Sequence, residues 1–409
     1  PAAAPARNII TVINNFANTV LNLTLRDVKI DVSDTGSYWV EGKAALSVQG
    51  KGNVEIELDG NNELKSGVQR AGLEKNTSTS TGTLTLKDDK EAGSGSLKAT
   101  GGKYGAGIGG GVTGIGEAIT ITGSTVTATG GIGAAGIGGG CSGDNGNGEN
   151  ITITGSRVTA TGNSGGAGIG GGERCDGENI TITGSTVTAT GDRGGAGIGG
   201  GAGESNRGNG NGNNITITGS TVTAISNGCG QHGNGGGAGI GGGCNRNGSH
   251  ITINGGTVTA EGGDHGAGIG GGAKGSGSNV TVSGAAQVTA IAGKGDRWDG
   301  AGATIGSSSG GSTKNPDGTF TPGSGQEIQA NISGLITGWI HHIIYDPALV
   351  SEDNPDGILK EWWEPERPQP NPEDPNAPAE ESNEVDLGTP GLHVETLEGD
   401  LLPFDARQQ

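Results

Sequence analysis

Methionine is absent from this 409-residue chain, aromatic residues make up 3% of it, and apolar residues of every kind make up 30%. A rounded core filled with Leu, Phe and Met is therefore excluded, because the side chains to build one are missing. Basic residues are scarce as well: 24 Lys and Arg stand against 43 Asp and Glu, giving a formal net charge of −19. Phosphate backbones and anionic membrane surfaces need clustered cations, so nucleic acid is excluded as a partner. About sixteen of those nineteen charges fall after Lys314, which leaves the centre of the chain close to neutral. No apolar run is long enough for a transmembrane segment. No charged-then-apolar leader opens the sequence, so any secretion signal is expected to lie outside this stretch or to have been removed already. GxSxG, HExxH and P-loop motifs are missing, and the six histidines do not recur at a ligand spacing.

What the chain has instead is glycine, 91 residues of it, without the Gly-X-Y period of collagen. Such a composition means either disorder or a repeating fold, and periodicity separates the two. The block ITITGSTVTAT starts at Ile119 and recurs at Ile151, Ile180, Ile215, Ile251 and, degenerated, at Val280. A second block, GAGIGGG, recurs around Ile108, Ile137, Ile169, Ile198, Ile240 and Ile269, with a weak copy at Ile305. Copies of the first block are spaced 29 to 36 residues apart, and the longer spacings carry extra Gly/Asn-rich loop at Ser205–Asn214 and Ser226–Gly236.

Within each block the alternation is strict. Ile119 and Ile121 face one way and Thr120 and Thr122 the other; after the Gly123-Ser124 corner, Val126 and Ala128 face inward. Period two with β-branched residues predicts strands, and Gly-Ser and Gly-Gly predict corners. One turn then holds three short strands, ITIT, TVTAT and AGIGG. No turn can bury its few inward residues alone, so turns must stack, with like residues about 4.8 Å apart. The fold class expected is all-β, a right-handed parallel β-solenoid of about nine to ten turns. Residues 1–110 read as irregular capping turns, 111–310 as regular repeats and 311–350 as a last cap turn in which Trp339, Ile343, Ile344 and Tyr345 close the core. Residues 351–386 read as an acidic Pro-rich linker and 387–409 as the start of a further module or tail.

The series LTLRDVKI, AALSV, VEIELDGNNELKSG, AGL, TLTL and GSLKATGGKYGAGIGGG, followed by the ITITGSTVTATGG and GAGIGGG repeats, resembles a family of bacterial extracellular proteins. These are common in anaerobic gut Firmicutes and are labelled carbohydrate-binding domain-containing. The resemblance spans roughly Val20 to Gly306. It implies a secreted or wall-attached location at the bacterial cell surface and makes glycans the first ligand class to consider.

Three sets of residues stand out as candidate sites. Outward threonines form columns at Thr120, Thr152, Thr181 and Thr216, and at Thr122, Thr154, Thr183 and Thr218. Thr stacks well on a solvent-facing strand, and a flat Thr-x-Thr array also suits ligand contact or ice binding, although Arg157 and Glu261 interrupt the lattice. Trp39 and Trp298 are the aromatic candidates for a sugar platform. Glu117, Glu149 and Glu178 fall at stacked positions, where like charges splay into water or share a cation; no cofactor is expected, and calcium is the alternative these carboxylates leave open.

Four cysteines without a CxxC pair favour disulfides, Cys141 with Cys175 across consecutive turns and Cys229 with Cys244 around one GAGIGGG. The function expected is that of a non-catalytic surface rod of adhesin type that contacts glycans or other surface proteins. The alternative is a self-assembling filament subunit, and ice binding is a third reading.

Overall fold

Each ITIT and TVTAT block folds as two strands bent at the Gly-Ser corner, and each Ile-Gly pair makes a third strand of two residues. The computed structural model describes residues 4–366 except 90–94, 142–144, 204–208, 229–234, 297–299, 310–312, 316–319, 322, 347–348, 352–353 and 355–356. The first side is an 11-stranded sheet running from Ile10–Asn14 to Gly325–Glu327, parallel until its last, antiparallel member. The other two sides form one 18-stranded sheet. Gly116–Thr122, Gly148–Thr154 and Gly177–Thr183 stack on the second side; Thr125–Thr129, Arg157–Thr161 and Thr186–Gly191 stack on the third. The fold is an all-β parallel β-solenoid, as the repeats require.

The register is that of identical residues. Ile119 pairs with Ile151, Ile151 with Ile180 and Ile180 with Ile215; Val126, Val158, Val187 and Val222 stack likewise. All of these are buried, and with the Ile column of the first side they form one continuous core. Each such Ile or Val contributes about 1.5–3 kcal/mol by leaving water, and truncating one leaves its two stacked neighbours facing a void.

Two corner devices keep the backbone satisfied. The residue before each ITIT strand adopts a left-handed conformation: Asn150, Asn179 and Asn214 have φ of 53°, 54° and 54°. Asn tolerates that region and also bonds along the stack, as Asn214 donates to Asn179 Oδ1 at 3.2 Å. At the Gly-Ser corner, Ser124, Ser156, Ser185 and Ser220 point inward and are buried. Ser185 Oγ donates to the Thr183 carbonyl and accepts the Ser156 N–H, and the pattern repeats along the column.

The C-terminal end differs from expectation. Trp339–Tyr345 adds to the third side, parallel to Gln287–Ile291, with Ile340 and Ile343 buried. The strand that closes the sheet is Ile358–Glu364, antiparallel to it, in a stretch that composition assigns to linker. Linker-like Pro, Asp and Asn residues precede it, but ILKEWWE itself carries the aromatic residues a closing strand needs.

Candidate functional site

Of the few aromatic rings in the chain, Tyr38, Trp39 and Tyr104 come together over one corner of the N-terminal turns. Tyr38 and Trp39 meet edge to face at 4.6 Å, and Tyr38 and Tyr104 do so at 6.2 Å. With Gln69, Val112, Cys141, Glu173 and Arg174 they line a cleft of about 550 Å³. Trp39 is 87% exposed, an unusual cost for an indole that does not contact something else.

The corner is built from two positions of the repeat. Gln69 and Tyr104 precede the strands Leu73–Glu74 and Ile108–Gly109 by four residues, at φ of 69° and 74°. Later turns hold Gly133, Gly165 and Gly194 there, also at positive φ, and one further turn holds His265 at φ 63°. A side chain in that conformation is disfavoured by about 1–2 kcal/mol, so Gln69 and Tyr104 are retained against a local preference that glycine would satisfy. Val112, Cys141 and Glu173 come from the opposite flank, four residues after the Ile of consecutive Ile-Gly strands. Gly133 must lack a side chain beneath them, since a Cβ would lie 2.4 Å from Cys141 Sγ.

The projecting turn at Ser37–Val40 is anchored from below. Ser37 N–H donates to the Val40 carbonyl at 2.8 Å, and Gln69 Nε2 donates to the Tyr38 carbonyl at 2.9 Å. Arg70 then ties Glu41 (3.1 Å) to the buried Glu74 (2.7 Å). Burial pushes the Glu74 carboxyl upward, opposed by Arg70 and the Ala71 N–H. Lys103 Nζ lies 5.4 Å from the Tyr38 ring centroid and 5.0 Å from that of Tyr104, a cation–π contact that stiffens both phenols.

Cys141 is not an available nucleophile. Its Sγ donates to Glu173 Oε2 at 3.7 Å, and burial, reinforced by the Glu173 charge, pushes the thiol up to about 12. The expected Cys141–Cys175 disulfide is not formed. The reason is offset: Cys141 stands four residues after Ile137 whereas Cys175 stands six after Ile169, so Cys141 stacks on Glu173. Cys175 Sγ instead takes the Gly146 N–H at 2.9 Å. Cys229 lies outside the described residues, as does Trp298, so neither the Cys229–Cys244 pairing nor that tryptophan's setting is described.

The remaining sequence candidates lie elsewhere. Thr120, Thr152, Thr181 and Thr216 stack in register, as do Thr122, Thr154, Thr183 and Thr218, half-buried or exposed on an outer face without aromatic rings. Glu117, Glu149 and Glu178 also stack in register. Each carboxylate takes an Asn amide: Asn150 donates to Glu117 at 3.1 Å, Asn147 to Glu149 at 2.9 Å and Asn213 to Glu178 at 3.0 Å. Among the described residues no group of three or more His, Cys, Asp or Glu is placed to hold a metal ion. Sequence reasoning found Trp39 but missed Gln69, Tyr104, Glu173 and Arg174. For Gln69 and Tyr104 the signal was a non-glycine residue at a positive-φ position of the repeat that other turns fill with glycine; Glu173 and Arg174 carried none.

A family model described as Beta helix repeat matches residues 119–141, 151–173, 180–202 and 251–273. Each segment begins at the first Ile of a second-side strand and runs four residues past the Ile of the next Ile-Gly strand, so the matched unit is one stacked turn. Repeat and fold together define a parallel β-helix repeat protein. No curated protein and no solved structure matches the chain.

Proposed function

We propose that this protein is a non-catalytic rod of the bacterial cell surface that binds a glycan through the Tyr38–Trp39–Tyr104 cleft. The observation that carries this reading is the exposed indole set against two phenols above a polar floor, in a chain with few aromatic rings to place. Sugar rings present C–H faces to aromatic platforms and hydroxyls to amide, carboxylate and guanidinium groups, which Gln69, Glu173 and Arg174 supply. Glycoside hydrolysis by the usual route needs two opposed carboxyls. Among the described residues Glu173 is the one carboxylate lining this cleft, and it already accepts the Cys141 thiol.

The test is a broad glycan array probed with the full chain and with Trp39→Ala. The wild-type chain is expected to bind one sugar class, and the variant to lose at least about tenfold in affinity, roughly 1.4 kcal/mol. A blank array for the wild-type chain would overturn the reading.

The N-terminal end favours a second reading, self-association. Ile9, Ile13, Phe16, Val20 and Leu21 are all exposed there. The edge strands Ile10–Asn14 and Val20–Arg26 each pair on one side only among the described residues. Sedimentation at increasing concentration decides it: a monomer at every concentration removes this alternative.

A further inference from the structure

The final Ile-Gly strand, Ile305–Ser309, replaces the glycines after Ile-Gly with serines, and the residue just before it departs from the repeat as well. The residue before Ile is glycine in the regular turns, because the next layer's backbone crowds it; a Cβ on Gly136 would lie 2.5 Å from the Thr161 nitrogen. Here it is Thr304, fully buried. Its hydroxyl donates to Glu327 Oε2 at 2.8 Å, and the same carboxylate accepts the backbone N–H groups of Thr304 at 2.6 Å and Ile305 at 3.0 Å. The single hydroxyl hydrogen is thereby used.

His342 Nδ1 lies 2.6 Å from the same hydroxyl oxygen. Since Thr304 Oγ1 has only lone pairs left to offer, the imidazole must carry its proton on Nδ1 and donate. A neutral His342 then presents a bare Nε2. Facing it from the closing strand, 3.8 Å away, is Glu364 Oε2. Both atoms are buried, and neither has a hydrogen-bond partner. Two sets of lone pairs opposed out of water repel each other, whereas one proton between them makes a hydrogen bond with the atoms about 1 Å closer.

We propose that His342 and Glu364 share one captured proton, and that this proton latches the closing strand Ile358–Glu364 onto the solenoid until rising pH removes it. The packing is arranged for such a latch. Trp362 stacks on His342 at 4.4 Å and 6°, and Trp363 stacks on His341 at 3.9 Å and 3°, so the closing strand lies with its two indoles flat on the two imidazoles. The charged and titratable groups around the pair are His341 on its own strand, Lys360 and Glu361 on the closing strand, and Glu327 beneath. His341 Nε2 meets Glu361 Oε1 at 2.5 Å, and Lys360 Nζ lies over the Trp362 ring at 4.3 Å.

The protonation preferences agree with this placement. Burial pushes the His342 imidazole down to about 4, assisted by His341 and Lys360, while burial and then Glu327 push the Glu364 carboxyl up. The shared proton therefore resides on Glu364 and is donated to Nε2.

Between about pH 4.3 and 6.5 a released strand also holds one proton on this pair, on the imidazole. Closure is then pH-independent in that window. Above about 6.5 the released pair gives its proton up; the latch requires the closed pair to keep it there, and closure then weakens as pH rises through the pair's own pKa. The limiting slope for one linked proton is about tenfold per pH unit.

Amide hydrogen exchange on the full chain, corrected for the intrinsic pH dependence of exchange, reads the latch directly. Protection over residues 358–364 is expected to hold level between about pH 4.3 and 6.5 and to fall above it, by up to about tenfold per pH unit. Glu364→Gln, whose amide donates to Nε2 at every pH, is expected to abolish the fall above about pH 6.5 and instead to lose protection below it, where only the released imidazole takes up a proton. A flat wild-type curve, or a variant that falls in parallel with it, would overturn the proposal. Imidazole ¹⁵N spectra give an answer even if the variant does not fold: His342 must carry its proton on Nδ1 at neutral pH, and an Nε2–H tautomer refutes the latch.

Discussion

Two glycines in one turn test why the repeat is written in glycine at all. Gly177 opens a second-side strand, and a Cβ added there would lie 1.9 Å from the Gly199 carbonyl oxygen and 2.3 Å from its carbon. Gly184 sits at the corner seven residues later with φ +55°, and an added Cβ there would meet nothing within 4 Å. The first glycine is required by space and the second by conformation. Gly184→Ala places Ala in the left-handed region at about 1–2 kcal/mol, offset by about 0.4–1 kcal/mol from the stiffer unfolded chain. The expected net loss is about 1 kcal/mol, and Gly184→Asn should recover part of it. Gly177→Ala cannot be absorbed locally, because relief needs more than about 1 Å of backbone movement in a ladder whose layers are spaced about 4.8 Å apart. Several ladder hydrogen bonds would break, and a loss of at least about 4 kcal/mol is expected, at the extreme of single substitutions. Urea unfolding of the full chain followed by far-UV circular dichroism measures both. If Gly177→Ala lies within about 1 kcal/mol of the parent, or Gly184→Ala is the more damaging, the close-approach argument is wrong.

Ser185→Ala removes the acceptor of the Ser156 N–H and the donor to the Thr183 carbonyl, and should cost about 1–3 kcal/mol in the same unfolding assay. Lys75 is 1% exposed and its ammonium is pushed down to about 8 by burial, against a partial pull from Glu117. Its penalty is complete below pH 8 and disappears as pH rises towards 10.5, so Lys75→Met should stabilise the chain by roughly 3 kcal/mol at pH 7. That gain should vanish above about pH 10.5. Cys141 should resist alkylation at pH 8 in the folded chain, and non-reducing peptide mapping should show no Cys141–Cys175 bridge.

The solenoid was legible because its physics is local and repeated. Ile at positions one and three of ITIT with Thr between them admits one side facing in, and five near-identical copies fix the register without further information. The cleft was not legible in the same way. Tyr38 and Glu173 are far apart in the chain, and they meet because stacking brings a projecting turn over a corner of later turns. The cysteine pairing failed on two residues of offset, since a column admits only residues at the same distance from the Ile that anchors it. The closing strand was obscured by its surroundings: Ile358–Glu364 is short and flanked by Pro and acidic residues, and its partner Trp339–Tyr345 is itself outside the repeat.

The two-residue Ile-Gly strand has a consequence for how such a chain can change. Ile198 pairs with Ile240 as truly in register as Ile169 pairs with Ile198, although far more sequence separates the first pair. Each Ile-Gly acts as a fresh origin, so residues inserted between one origin and the next do not accumulate as a slip along the axis. The number of stacked layers is thus set by the count of Ile-Gly origins and not by the sequence between them, and the two can vary independently. A loop can lengthen in one turn while every layer keeps its place in the stack.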